Sequence, residues 1–185
     1  EQFVDPEFKM GPMVEHMAGL MALRMANAEL IPYNLNRYAF DLNLHFENAT
    51  KKVRSFDGNF EGFNNTMEAI KGLEESSKSL TSEIKSLLKN GNLSKKRLKS
   101  INEQLIALEK SFISERGMYF GSWYKSLYAS SDPFSGYAAW ILPGLEYEIA
   151  LKSSERLEEW DNRYADAILS LHAKMEDLKM TLQSD

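Results

Sequence analysis

Apolar residues recur along much of the chain at intervals of three and four positions, which is the pattern of an α-helix with one apolar face. The longest run, near the end of the chain, follows spacings of 3, 4, 4, 3, 4, 3 and 4. Its members are Leu157, Trp160, Tyr164, Ile168, Leu171, Met175, Leu178 and Leu182. This stripe predicts a long helix whose apolar face is either core or a subunit seam, because periodicity alone does not separate the two.

The same period, combined with helix start and stop signals, predicts five further helices. They cover 12–32, 34–53, 65–90, 94–112 and a shorter segment that starts at Pro143. Ser94 is a predicted N-cap, and Gly91 follows the third helix as a stop signal. No useful run has the two-residue period of a strand, so the sequence predicts an all-α bundle of five or six helices.

One stretch, 114–142, lacks a helical period and contains eight aromatic residues. These are Tyr119, Phe120, Trp123, Tyr124, Tyr128, Phe134, Tyr137 and Trp140. An irregular segment of this length inside a compact domain is usually functional or disordered. Because disordered segments are poor in aromatic residues, we expect this long loop to be ordered against another surface.

Methionine is concentrated in the first predicted helix, at Met10, Met13, Met17, Met21 and Met25. The flexible thioether side chain suits an adaptable binding groove. A stripe of this kind is more often ordinary core, however. We therefore expect the methionine face to be buried in the bundle.

Composition narrows the chemistry that this chain can perform. The net charge of −5 gives no electrostatic reason to expect nucleic acid as a partner. Cysteine is absent, and His16, His45 and His172 fall in different predicted helices. The sequence therefore predicts no metal or cofactor in this part of the protein and no complete catalytic apparatus. It also lacks an apolar run of roughly 18 residues, as a membrane-spanning helix needs, so no direct membrane contact is expected.

Three segments match the acceptor pattern for N-glycosylation, Asn-x-Ser/Thr. They begin at Asn48, Asn64 and Asn92. Such matches also arise by chance in a polar surface rich in Ser and Asn. The three asparagines are candidate glycosylation sites and favour a secretory location.

Several stretches together resemble one known family. They are the opening Asp5-Pro6 with Phe8-Lys9, the segment from Ala26-Asn27 to Pro32, Leu108-Glu109 with Phe112, and Tyr137-Ala138 before Pro143-Gly144. In this order they closely resemble the C-terminal helical dimerisation domain of the transferrin receptor and glutamate carboxypeptidase II family. The resemblance runs over nearly the whole chain, although 51–100 contributes only helical period.

The resemblance implies that 1–185 is one dimerisation domain, cut from a longer protein with a peptidase-like domain upstream. In the family, a type II membrane anchor precedes that domain, which holds two zinc ions in the active members. The parent is then expected to be a glycosylated homodimer on the lumenal or extracellular side of a secretory-pathway, vacuolar or plasma membrane. The implied partners of this chain are a second copy and the upstream peptidase-like domain.

The resemblance also assigns a role to the aromatic loop. In peptidase members the corresponding loop covers the active-site cavity, and a Lys-Tyr pair binds the carboxylate of the substrate's terminal glutamate. The tyrosine corresponds to Tyr137 and the lysine to Gly136. Tyr137 is therefore a candidate substrate-binding residue, while loss of the charge-assisted contact weakens the case for glutamate selectivity.

Three functions are consistent with the sequence. The first is the homodimerisation domain of a membrane-anchored di-zinc carboxypeptidase-like protein whose substrate cavity is lined by the 130–144 loop. The alternative is a docking domain of a transferrin receptor-like protein that has lost peptidase activity, and the third is a free-standing helical adaptor. Intact zinc ligands upstream would favour the enzyme, and their loss would favour the receptor.

Overall fold

The computed structural model describes residues 7–91 and 93–183, and within them the chain folds as an all-α bundle, as predicted. The helices are α1 (Met10–Asn27), α2 (Asn36–Arg54), α3 (Asn64–Asn90), α4 (Lys95–Leu108), α5 (Pro143–Leu151) and α6 (Leu157–Gln183). A 3₁₀ turn (Glu109–Phe112) extends α4. The predicted helix 94–112 therefore changes to a tighter winding over its last four residues.

Helix α6 forms the centre of the bundle. It packs along α3 and also contacts α4, while α2 packs against α3. The aromatic rings of Phe46, Phe63 and Tyr164 meet edge to face at the junction of α2, α3 and α6. Burial of such large rings is the main stabilising contribution to a core of this size.

The N-terminus of α3 is capped by another helix. The carboxylate of Asp161, in α6, accepts hydrogen bonds from the backbone N–H groups of Asn65 (3.0 Å) and Thr66 (2.9 Å). The Thr66 hydroxyl donates to the Asp161 carbonyl (2.9 Å). The free N–H groups at this end are therefore satisfied by a carboxylate far away in sequence and not by the side chain of the N-cap residue, Phe63.

Helix α5 begins at Pro143, as predicted, with Leu142 in the left-handed conformation at φ 56°. Gly144 lies directly against the indole of Trp160, where an added Cβ would come within 2.5 Å of the ring. Its N–H donates to the buried Tyr164 hydroxyl (3.3 Å). Only a residue without a side chain permits this approach of α5 to α6.

A short β-hairpin lies within the stretch that the sequence predicts to be irregular. Strand β1 (Ala129–Ser131) pairs antiparallel with β2 (Ala139–Ile141), with Ser130 opposite Trp140. Three residues are too few to display a strand period, so the pattern could not indicate them. The two strands are joined by residues 132–138, of which 134–138 are exposed.

Helix α1 differs from the prediction, because none of its 18 residues is buried among the described part of the chain. Its large side chains are all exposed, namely Met10, Met13, Val14, Met17, Leu20, Met21, Leu23 and Met25. The expectation that the methionine face lies in the core of this bundle is therefore wrong. The reason is physical: the apolar faces of α2, α3, α4 and α6 already cover one another.

Candidate functional site

Tyr137 lies at the outermost point of the hairpin. We call residues 132–138 the hairpin tip. The tip is closed by two backbone hydrogen bonds, from Asp132 N–H to Ala138 O and from Gly136 N–H to Asp132 O, both 2.8 Å. Gly136 has a φ of 72°, which a glycine adopts without strain. This turn leaves the Tyr137 side chain 99% exposed, so its hydroxyl is available to a group outside the described chain.

Asp132 organises the hairpin tip. Its carboxylate accepts hydrogen bonds from the Ser135 hydroxyl (2.6 Å) and the Phe134 N–H (2.7 Å). These two donors, the hydroxyl first, lower the pKa of Asp132. The tip therefore has a defined conformation and carries a negative charge at neutral pH.

Aromatic rings pack between the hairpin and α5. Phe134 stacks on Tyr147 of α5 (6.1 Å between centroids) and meets Trp140 edge to face (5.8 Å). Phe120 packs against both Trp140 (6.1 Å) and Tyr147 (5.2 Å). We call these four residues the aromatic base. It ties the loop to α5, as expected of a segment rich in aromatic residues.

The carboxylate of Glu148 is buried in α5, and the sequence did not predict this. Glu148 accepts two hydrogen bonds from Arg156, at 2.7 and 3.0 Å, and one from the Trp160 indole N–H at 3.3 Å. A signal was present, since Glu148 follows the buried Leu145 by three positions and so shares its face of the helix.

The stripe of α6 lies in the core of this chain. Leu157, Trp160, Tyr164, Ile168, Leu171 and Met175 are all at most 3% exposed, packed by α3 and α4 from the same chain. These side chains are therefore occupied within one copy. A surface for a second copy has to come from other residues.

A groove of about 610 Å³ lies between α2, the 3₁₀ turn and β1. Its apolar lining includes Ile106, Phe112 and Ile113, and the ion pair of Arg37 with Asp41 (2.6 Å) lies at its edge. The Ile106 and Ile113 side chains are apolar and exposed. This groove is therefore, besides the hairpin tip, a surface suited to contact with another domain.

The three sequons differ in their surroundings. Asn48 is exposed on α2, beside a groove that Trp140 also lines. Asn64 is exposed as the first residue of α3. Asn92 lies outside the described residues. All three remain predicted glycosylation sites.

The described ranges, 7–91 and 93–183, contain three histidines and no cysteine. In these ranges no group of three or more His, Cys, Asp or Glu side chains is placed to hold a metal ion. His16, His45 and His172 lie on α1, α2 and α6. Nor does any helix of the described residues have the length and apolar character that crossing a bilayer requires.

Comparison with known proteins identifies what the fold is similar to. Residues 61–176, from the start of α3 to most of α6, match the model of the transferrin receptor-like dimerisation domain. A probable glutamate carboxypeptidase of Arabidopsis thaliana is 26% identical over 165 residues, which cover 88% of this chain and 23% of that protein. A probable glutamate carboxypeptidase of Zea mays is 25% identical over 130 residues, covering 69% and 18%. The chain thus spans less than a quarter of the length of these relatives.

Proposed function

The chain belongs to the transferrin receptor-like dimerisation domain family, and from this premise we propose that it joins two copies of a zinc-dependent carboxypeptidase-like protein into a homodimer. The match over 61–176 supports the dimerisation role because the matched family is one of dimerisation domains and the match covers α3 to α5 and most of α6. The names of the plant relatives support the peptidase part of the proposal.

We further propose that α1 packs into the peptidase-like domain of the same protein. A helix with apolar residues on all sides is normally buried on all sides. Met13, Met17 and Leu20 are about half exposed, and Met21 and Leu23 are more so. Because α2 to α6 bury none of the α1 side chains, the proposed cover for α1 is another domain.

The hairpin tip completes the proposal by lining the substrate cavity of that domain. Its backbone is closed by hydrogen bonds, and the aromatic base fixes it on α5. The Tyr137 hydroxyl points away from the bundle and can donate to the terminal carboxylate of a peptide. Two zinc ions, a membrane anchor, and glycans at the exposed Asn48 and Asn64 are parts of the same proposal, on the lumenal or extracellular side.

The exposure of Tyr137 is the observation that carries the cavity assignment, and substitution tests it. In the full-length protein, Tyr137→Phe removes a hydroxyl bound to a charged group, which costs about 1.5–3 kcal/mol. We therefore expect kcat/KM to fall roughly 10- to 150-fold. Tyr137→Ala is the stability control, and it should leave the thermal midpoint unchanged because the ring has no cover in this chain.

The same preparation separates the peptidase from an inactive, receptor-like parent. Light scattering of the full-length protein should give the mass of a dimer, and metal analysis should give two zinc ions per chain. A dimer without zinc and without hydrolysis would support the docking role instead. Hydrolysis that Tyr137→Phe leaves unchanged would remove the hairpin tip from the substrate site.

A further inference from the structure

The hairpin contributes an anion and no cation to the surface around Tyr137. Over 129–141, Asp132 is the sole charged residue. Its carboxylate is held in place by Phe134 and Ser135, and both donors stabilise the charged form. The rest of the tip is aromatic, small or hydroxyl-bearing, and offers no positive charge to a ligand.

Cations close to the hairpin and its aromatic base are neutralised by carboxylates. The pairs are Lys52 with Glu146 (2.5 Å), Arg116 with Glu159 (2.7 Å), Arg156 with Glu148 (2.7 Å), and Lys125 with Glu115. Lys51 lines a groove together with Ala139 and Trp140, on β2 rather than at the tip. The described part of this face therefore has little to attract a negatively charged side chain.

Recognition of a glutamate side chain in a cavity needs a positive partner, because a carboxylate that loses water without gaining one is strongly disfavoured. A neighbouring carboxylate adds repulsion of the same sign. A neutral side chain, by contrast, meets the exposed rings of Phe134 and Tyr137 without either cost.

We propose that the hairpin tip selects against an acidic terminal residue, so that the preferred substrate is a peptide ending in a neutral side chain. This proposal rests on the proposed function, in which the tip lines the cavity of a carboxypeptidase. The plant relatives are named for glutamate, whereas this proposal favours a neutral terminal side chain. The proposal also assigns Asp132 as a specificity-determining residue.

The test compares two peptides that differ only in a terminal glutamine or glutamate, with the full-length zinc-bound protein. The value of kcat/KM should be about twofold to fivefold higher for the glutamine peptide than for the glutamate peptide, as expected for a partly solvated charge contact. Asp132→Asn retains groups that can hydrogen-bond Phe134 and Ser135, and it should bring the ratio of the two kcat/KM values towards one. Ala138→Lys adds a cation beside Tyr137 and should invert the preference.

Two controls keep the test specific. Asp177→Asn makes the same change of charge on the exposed face of α6, near its C-terminal end, and should leave the ratio unaltered. Lys51→Gln should also leave it unaltered. Preference for glutamate, a ratio that Asp132→Asn does not move, or loss of glutamate hydrolysis in Lys51→Gln would each overturn the proposal. Failure to hydrolyse either peptide would instead contradict the proposed peptidase, and the specificity with it.

Discussion

Glu148→Ala is expected to lower the free energy of unfolding by about 3 kcal/mol. The wild-type carboxylate is 0% exposed and is bound by three donors, two from Arg156 and one from Trp160. Alanine removes all three acceptor contacts at once. It leaves the guanidinium and the indole N–H facing a space that holds no acceptor.

The magnitude follows from how much water can reach the groups left behind. Removal of one partner from a fully buried ion pair costs about 3–5 kcal/mol. The Arg156 side chain is 28% exposed, and the Tyr119 ring covers one side of its guanidinium at 4.6 Å. Water can therefore solvate part of the charge, which reduces the cost to about 2–4 kcal/mol, while the Trp160 N–H remains fully buried.

Urea unfolding followed by tryptophan fluorescence and circular dichroism measures this change. Glu148→Gln is the matched variant, since it preserves the shape and an acceptor but not the charge, and it should cost about half as much. The double variant Glu148→Ala with Arg156→Ala should be less destabilised than the sum of the single variants. A loss below about 1 kcal/mol in Glu148→Ala, or strict additivity, would refute the view that this pair is coupled and buried.

The remaining predictions address the core, the capping contact and α1. Trp160→Ala and Ile168→Ala should each cost about 2–5 kcal/mol in the same unfolding assay, and a smaller loss would place them outside the core. Asp161→Ala should cost about 1–2 kcal/mol through loss of the α3 cap, with Asp161→Asn as a milder control. In the isolated chain, where α1 has no cover, paired Gln substitutions at Met17 and Met21 should reduce non-specific self-association in light scattering. They should change stability by less than about 0.5 kcal/mol, and a larger loss would mean that α1 is buried.

Features that depend on a few neighbouring residues could be predicted from the sequence. Ser94 caps α4 through its hydroxyl, which accepts the Arg97 N–H at 3.2 Å. Pro143 starts α5, where a missing N–H costs nothing. The spacing of apolar residues located α6, because its stripe repeats over seven turns. In each case the cause lies within one or two helical turns of the effect.

Features that join distant residues could not be predicted in this way. The carboxylate of Asp161 accepts hydrogen bonds from the first N–H groups of α3, and no local sequence motif joins residues so far apart in the chain. The pair of Glu148 and Arg156 crosses the break between α5 and α6, so the helix face that Glu148 shares with Leu145 does not indicate its partner. Likewise, the role of the hairpin tip depends on a cavity whose other walls are contributed by a different domain in the proposed function.

Helices α1 and α6 show why the period alone could not separate core from surface. Both repeat apolar residues at intervals of three and four, and α6 is buried because α3 and α4 present complementary stripes to it. Helix α1 meets no complementary stripe in the described chain, so the same pattern leaves it exposed. A hydrophobic period therefore predicts that a helix face needs a partner, while the identity of that partner depends on which other surfaces remain unfilled. For α1, which none of α2 to α6 buries, the proposed partner is a domain beyond this bundle.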